Sequence, residues 1–172
     1  TASITAADIN DNSTDNCGIA SLVASKTSFN CANLGANSVT LTVTDTSGNV
    51  SSCIATVTVI DNTPPVATCK NFTLVLAANG TGTLLSANIN NGSTDNCGIT
   101  TMTLSKTNFT CTDANGTPQS VTLTVIDASG NSASCNATVT VVDTIVPVEK
   151  RKNVTLDLNA AGNATLLASA ID

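Results

Sequence analysis

The sequence lacks histidine, tryptophan and tyrosine, and it contains three phenylalanines and a single glutamate, Glu149. The aspartates fall in turn signals rather than in an evident pair, so the chain offers no general acid and base for catalysis. Without tryptophan or tyrosine there is also no aromatic platform on which a sugar ring could stack. We therefore expect that this protein is not an enzyme.

Positive charge is scarce, with 6 Lys and Arg against 12 acidic residues and a formal net charge of −6. No basic patch is present that could neutralise nucleic-acid phosphates or anionic lipid headgroups. Long apolar runs are absent too, since none approaches the roughly 18 residues of a membrane-spanning segment. We predict neither a nucleic-acid partner nor insertion into a membrane.

Threonine, asparagine, valine and alanine dominate, which is a composition typical of β-sheets. Apolar residues alternate with small polar ones at Phe72, Leu74 and Leu76; at Val121, Leu123 and Val125; at Val139 and Val141; and at the equivalents Val39, Leu41, Val43, Val57 and Val59. Turn signals separate these runs at Asn79-Gly80, Asn91-Gly92, Asn115-Gly116 and Ser129-Gly130-Asn131. Short strands at regular spacing predict an all-β protein of immunoglobulin-like β-sandwiches, with no helix longer than about a turn.

The chain repeats itself with a period of about 80 residues. Residues 10–31 match residues 90–111 at 13 of 22 positions, and residues 38–61 match 120–143 at 18 of 24. A two-residue insertion after Cys111 shifts the offset from 80 to 82. A third copy begins with Pro147-Val148.

We predict three units: an incomplete repeat at 1–62 that lacks its first strand, a complete repeat at 63–143, and the beginning of a third at 144–172. The first unit opens part-way through the repeat, which predicts a segment of a longer array. The linkers contain proline, which fixes φ and cannot continue a β-ladder, so we expect stiff junctions and a rod of repeats.

Seven cysteines occur with no histidine and no Cys-x-x-Cys pair, which favours disulfides over a zinc or redox site. Disulfides persist in oxidising compartments, so we expect an extracellular protein at the cell surface. A complete repeat has four cysteines and three possible pairings. We favour Cys97–Cys111, which encloses a hairpin-like excursion, and Cys69–Cys135, which ties the opening strand to the closing one.

In the first repeat the same scheme pairs Cys17 with Cys31 and leaves Cys53 to bond with a cysteine upstream of Thr1. A rival interpretation, that Cys53 is a reactive thiol, finds no nearby histidine or lysine to lower its pKa. In the third copy Arg151 stands at the position of Cys69, so that repeat is predicted to lack its long-range disulfide.

Four elements of the complete repeat form a pattern: Pro65 to Cys69, Thr94-Asp-Asn-Cys-Gly98, Asp127-x-x-Gly-Asn131 and Cys135. This pattern resembles hyalin-repeat and related immunoglobulin-like modules. The Thr- and Asn-rich texture and the segment Leu76 to Leu84 are similar to giant SprB-like adhesins of gliding Bacteroidota. That resemblance implies tandem repeats in a long surface filament that functions in adhesion and gliding motility.

The linker residues Asp61-Asn62 are similar to the acidic junctions of cadherin-type rods, where oxygen ligands from adjacent domains chelate Ca²⁺. Candidate calcium ligands are Asp61, Asp143, Asp15, Asp95, Asp45 and Asp127. The alternative is that these aspartates cap turns through hydrogen bonds to the backbone. Asp143-Thr144-Ile145 also fits a bacterial O-glycosylation pattern, which makes Thr144 a candidate glycan site.

The leading functional hypothesis is a structural stalk whose repeats stack end to end, with neighbouring repeats and lateral or head-to-tail copies as partners. The alternatives are that the repeats themselves bind a ligand such as a surface polysaccharide, or that they are accessory domains of a large secreted hydrolase.

Overall fold

The computed structural model describes residues 1–165, and strands dominate its secondary structure. The all-β prediction is therefore confirmed. In the first repeat the strands are β1 (Ala2–Ser3), β2 (Ile19–Ala24), β3 (Ser28–Phe29), β4 (Gly35–Asp45) and β5 (Val50–Val59). In the second they are β6 (Phe72–Val75), β7 (Thr81–Thr83), β8 (Ile99–Leu104), β9 (Asn108–Thr110), β10 (Gln119–Asp127) and β11 (Ser132–Val142).

Helical structure in the described residues is limited to single turns, as expected. A four-residue α-helix, α1, covers Ser86–Ile89. Three 3-10 turns cover Ala6–Ile9, Cys31–Asn33 and Cys111–Asp113. The last two occupy equivalent positions after β3 and β9.

Each repeat forms one larger sheet and one two-stranded sheet. In the second repeat the larger sheet has the order β6-β11-β10-β8, and β7 pairs with β9. Strand β6 runs parallel to β11, while the other pairs are antiparallel. In the first repeat the sheet is β2-β4-β5, and β1 pairs with β3. The first repeat thus has no equivalent of β6.

The core of the second repeat follows the period-2 pattern of its strands. Val121, Leu123 and Val125 of β10 are fully buried, while the threonines between them remain partly exposed. Phe109 of β9 is the largest fully buried side chain. The ammonium of Lys106 lies 4.7 Å from the centre of the Phe109 ring, a favourable cation–π distance.

The turn predictions hold at the glycines. Gly80, Gly92, Gly116 and Gly130 all have positive φ angles, between 74° and 89°. Gly130 lies in the turn between β10 and β11, where its φ of 89° lets the chain reverse over Asp127-Ala-Ser-Gly-Asn131. This turn presents the polar side chains of Asp127 and Asn131.

Residues 144–165, where the third repeat was predicted to begin, contain no strand. In the second repeat the equivalent segment, β6, pairs with β11, the last strand of its own repeat. Within the described residues no strand equivalent to β11 follows this segment. The predicted segment 166–172 lies outside the described residues. Within the described part, no helix is long and apolar enough to cross a membrane.

Replacing Phe109 with alanine should destabilise the second repeat by about 3–5 kcal/mol, because it removes the largest buried ring from a core of small side chains. Phe72→Ala is the matched control, since the Phe72 ring is only partly buried. Urea unfolding monitored by circular dichroism measures both. An equal loss in the two variants would contradict this account of the core.

Candidate functional site

The two repeats are joined by a disulfide between Cys31 and Cys97, whose Cα atoms lie 5.2 Å apart. Cys31 begins the 3-10 turn that follows β3 of the first repeat. Cys97 precedes β8 of the second repeat. The bond spans 66 positions and connects consecutive repeats, so it forms a second covalent link beside the backbone linker.

The predicted pairs Cys17–Cys31 and Cys97–Cys111 are therefore wrong. Cys97 lines a cleft together with linker residues 59–63, whereas Cys111 lines another cleft with residues 145–147 of the following linker. The two cysteines thus lie at opposite ends of the repeat. The six-residue strand β8 alone spans about 20 Å between them, well beyond the reach of a disulfide.

The predicted Cys69–Cys135 disulfide is present, with its Cα atoms 5.8 Å apart. It fastens the segment before β6 to the middle of β11. Cys17, Cys53 and Cys111 are unpaired and exposed. Cys53 is the equivalent of Cys135, and its bond to a cysteine of a preceding segment stays a prediction.

Next to the Cys31–Cys97 bond, three carboxylates from three separate segments converge. Asp61 comes from the linker, Asp95 from the segment before β8 and Asp127 from the end of β10. One oxygen of each lies within 4.8 Å of the others. Asp61 is 7% exposed and Asp127 is 3% exposed, so the cluster is largely removed from solvent. We call these three residues the junction triad.

Asp61 is held by hydrogen bonds from two segments of the second repeat, one containing Asn96 and the other Asn131. Its Oδ1 accepts hydrogen bonds from the Thr63 backbone N–H at 3.0 Å and from the Asn96 side-chain amide at 3.2 Å. Its backbone carbonyl accepts a bond of 2.9 Å from the side-chain amide of Asn131. The linker is thereby fixed against the second repeat at a single residue.

The other two carboxylates are oriented by their own turns. Asp95 Oδ1 accepts from the Cys97 backbone N–H at 2.8 Å. Asp127 Oδ1 accepts from the backbone N–H groups of Ser129 and Asn131, and its Oδ2 accepts from the Asn131 side chain. Burial raises the pKa of Asp127, but these hydrogen bonds outweigh it and hold the pKa below its ordinary value. Asp127 is consequently a carboxylate at neutral pH.

The remaining oxygens of Asp61 and Asp95 have no hydrogen-bond partner. Both Oδ2 atoms are buried and unsatisfied. Buried polar atoms in folded proteins nearly always have a partner, and a charged oxygen without one is costly. The triad is thus a pre-oriented set of oxygen ligands, suited to a hard cation.

Of the six predicted calcium ligands, the structure brings together Asp61, Asp95 and Asp127. Asp15 and Asp45 line a separate cleft in the first repeat, and Asp143 lies exposed in the next linker. All three make the turn-capping bonds that were the alternative interpretation. The triad aspartates also cap turns, so turn capping and calcium binding are compatible there. Thr144 is exposed, and its glycosylation stays a prediction.

Sequence reasoning missed Asn96 and Asn131, which connect the triad. The signal was present, because both asparagines recur as Asn16 and Asn49 beside the equivalent aspartates. Comparison with models of known protein families found no match, and neither did comparison with curated proteins. The two disulfides indicate an oxidising environment of the extracellular type.

Non-reducing peptide mapping of the intact chain should recover Cys31 linked to Cys97 and Cys69 linked to Cys135. Mass spectrometry of the proteolytic fragments before and after reduction identifies both pairs. A fragment linking Cys97 to Cys111 would contradict the inter-repeat bond.

The first repeat should lose stability as the pH falls below about 3.8, the ordinary pKa of aspartate. The side-chain amide of Asn49 is the main cause that lowers the pKa of Asp45, with further backbone bonds from Asn49 and Ser47. A pKa lowered by folding contributes stability above the unfolded pKa, and that stability is lost as the pH falls through the folded pKa. Asp45→Asn should therefore be less stable at pH 7 and less sensitive to acid.

Urea unfolding at a series of pH values between 7 and 2 measures this difference. Asp11→Asn, at an exposed position in the same repeat, is the control and should keep the acid sensitivity of the parent chain. An Asp45→Asn variant with the parent's pH profile would show that Asp45 does not contribute.

Proposed function

We propose that this chain is part of a tandem array of immunoglobulin-like β-sandwich repeats that forms the structural stalk of an extracellular filament or cell-surface adhesin. The Cys31–Cys97 disulfide carries the proposal. A covalent bond between consecutive repeats fixes their relative placement, which a stalk requires. A binding module that acts alone has no need of it.

Equivalent cysteines in each repeat would allow the same bond at the junctions with the previous and the next repeat. Cys17 is the equivalent of Cys97, and Cys111 is the equivalent of Cys31. Cys111 lines a cleft with Asp143 and the linker that follows its repeat, just as Cys31 lines one with Asp61 and the linker that follows the first repeat. In the proposed array, Cys111 bonds to the next repeat and Cys17 to the previous one. Every junction then has the same disulfide.

In the proposed array, the backbone linker and the disulfide are two connections at each junction, and together they make the junction stiff. The backbone linker is short, because β5 ends at Val59 and Val66 already pairs with Thr94 in the second repeat. Pro65 is buried within it. With a disulfide as the second connection, neighbouring repeats cannot swing about one flexible tether. Tension along the array can also pass through the disulfides instead of pulling directly on the sheets.

Removing the inter-repeat bond with Cys31→Ser and Cys97→Ser should let the two repeats tumble separately. The matched control is Cys69→Ser with Cys135→Ser, which removes a disulfide of the same 66-residue span from inside the second repeat. The control should lose about 2–4 kcal/mol of stability yet keep a common tumbling time.

Small-angle X-ray scattering and 15N relaxation measure shape and tumbling. The parent chain should be elongated, with both repeats sharing one rotational correlation time. A compact particle, or equal inter-repeat motion with and without the Cys31–Cys97 bond, would overturn the stalk proposal.

A further inference from the structure

We propose that Asp61, Asp95 and Asp127 bind one Ca²⁺ ion at the junction between the two repeats. The proposal concerns a ligand of the junction and does not depend on the stalk function. It rests on the geometry of the triad, on its unsatisfied oxygens and on its charge.

The spacing of the carboxylates suits a shared calcium ion. Ca²⁺ binds oxygen ligands at about 2.3–2.6 Å, so two oxygens on one ion lie at most about 5 Å apart. One oxygen from each member of the triad lies within 4.8 Å of the other two. Water or nearby carbonyl oxygens complete the six to eight ligands that calcium takes.

The unsatisfied atoms point to the same ligand. Asp61 is more than nine-tenths buried, and its Oδ2 has no hydrogen-bond partner. Asp95 Oδ2 is also buried and without a partner. The partner oxygens, Oδ1 of both residues, are already engaged by backbone and amide donors. Asp61 and Asp95 therefore each keep one oxygen free of hydrogen bonds and available to a cation.

Charge requires compensation at this site. Three carboxylates lie together, and within the described residues the one salt bridge, Lys106–Asp113, lies elsewhere. A divalent cation offsets two of the three charges. The triad contains only oxygen ligands, with no histidine or thiolate, which favours a hard cation over zinc. Ca²⁺ accepts irregular geometry more readily than Mg²⁺, which demands a near-ideal octahedron.

The first repeat provides an internal comparison. Asp15 and Asp45 make the same turn-capping bonds as Asp95 and Asp127. Asp15 is exposed, and within the described residues no third carboxylate lies with Asp15 and Asp45. In the second repeat the linker residue Asp61 supplies that third carboxylate.

Isothermal titration of the metal-stripped full chain with CaCl2 tests the proposal. We expect one binding event per chain and a rise in Tm with added CaCl2. Asp61→Asn and Asp95→Asn should each weaken binding by about tenfold or more, since the number of ligand charges sets calcium affinity. Asp143→Asn and Asp15→Asn are the matched controls, and both should bind as the parent chain does.

Far-ultraviolet circular dichroism and mapping of the Cys31–Cys97 bond verify that each variant is folded. Absence of both heat and a Tm shift at millimolar CaCl2 would overturn the proposal, and so would parent-like binding by Asp61→Asn and Asp95→Asn. Equally tight binding of MgCl2 would overturn the assignment to calcium. A compact particle in scattering would remove the stalk function but leave the titration unchanged, so the two failures are distinguishable.

Discussion

The Cys31–Cys97 disulfide is the constraint on which the junction depends. Cys97 follows Asp95 by two residues, so the bond that ties the second repeat to the first also holds Asp95 beside the linker. Asn96, between them, donates to Asp61. Covalent attachment and the acidic cluster therefore share one three-residue segment.

The need for such fastening follows from the composition. A repeat of about 80 residues with few aromatic side chains buries limited apolar surface, and small cores of this kind supply only about 3–5 kcal/mol. The second repeat fills its interior mainly with valine and leucine around a single fully buried ring, that of Phe109. Cys69–Cys135 adds stability within the repeat, because it restricts the conformations open to the unfolded chain. Cys31–Cys97 extends the same principle across the junction.

Periodicity and repetition were enough to predict β4, β5, β6, β10 and β11, the glycine turns and the Cys69–Cys135 bond, but not the shorter strands β1, β2, β3, β7, β8 and β9. Alternation at Val121, Leu123 and Val125 specifies a strand because successive side chains point to opposite faces. The error over Cys97 and Cys111 arose from treating the thirteen residues between them as a hairpin. Sequence spacing does not tell whether a segment turns back on itself or runs the length of the repeat. It also could not show that a linker aspartate meets two turns of the next repeat, because that proximity is created by folding.

The two repeats differ most in the loop that follows Cys31 or Cys111, where the second repeat carries two extra residues. There Asp113 replaces Asn33, and it forms a salt bridge with Lys106. Both residues nevertheless accept a hydrogen bond from the backbone N–H three positions earlier, so the turn that positions the cysteine is unchanged. The loop can therefore vary while the cysteine stays in place beside the linker. The cysteines, aspartates and asparagines of the junction recur in both repeats although the loop beside them differs, as expected if the joint matters as much as the isolated repeat.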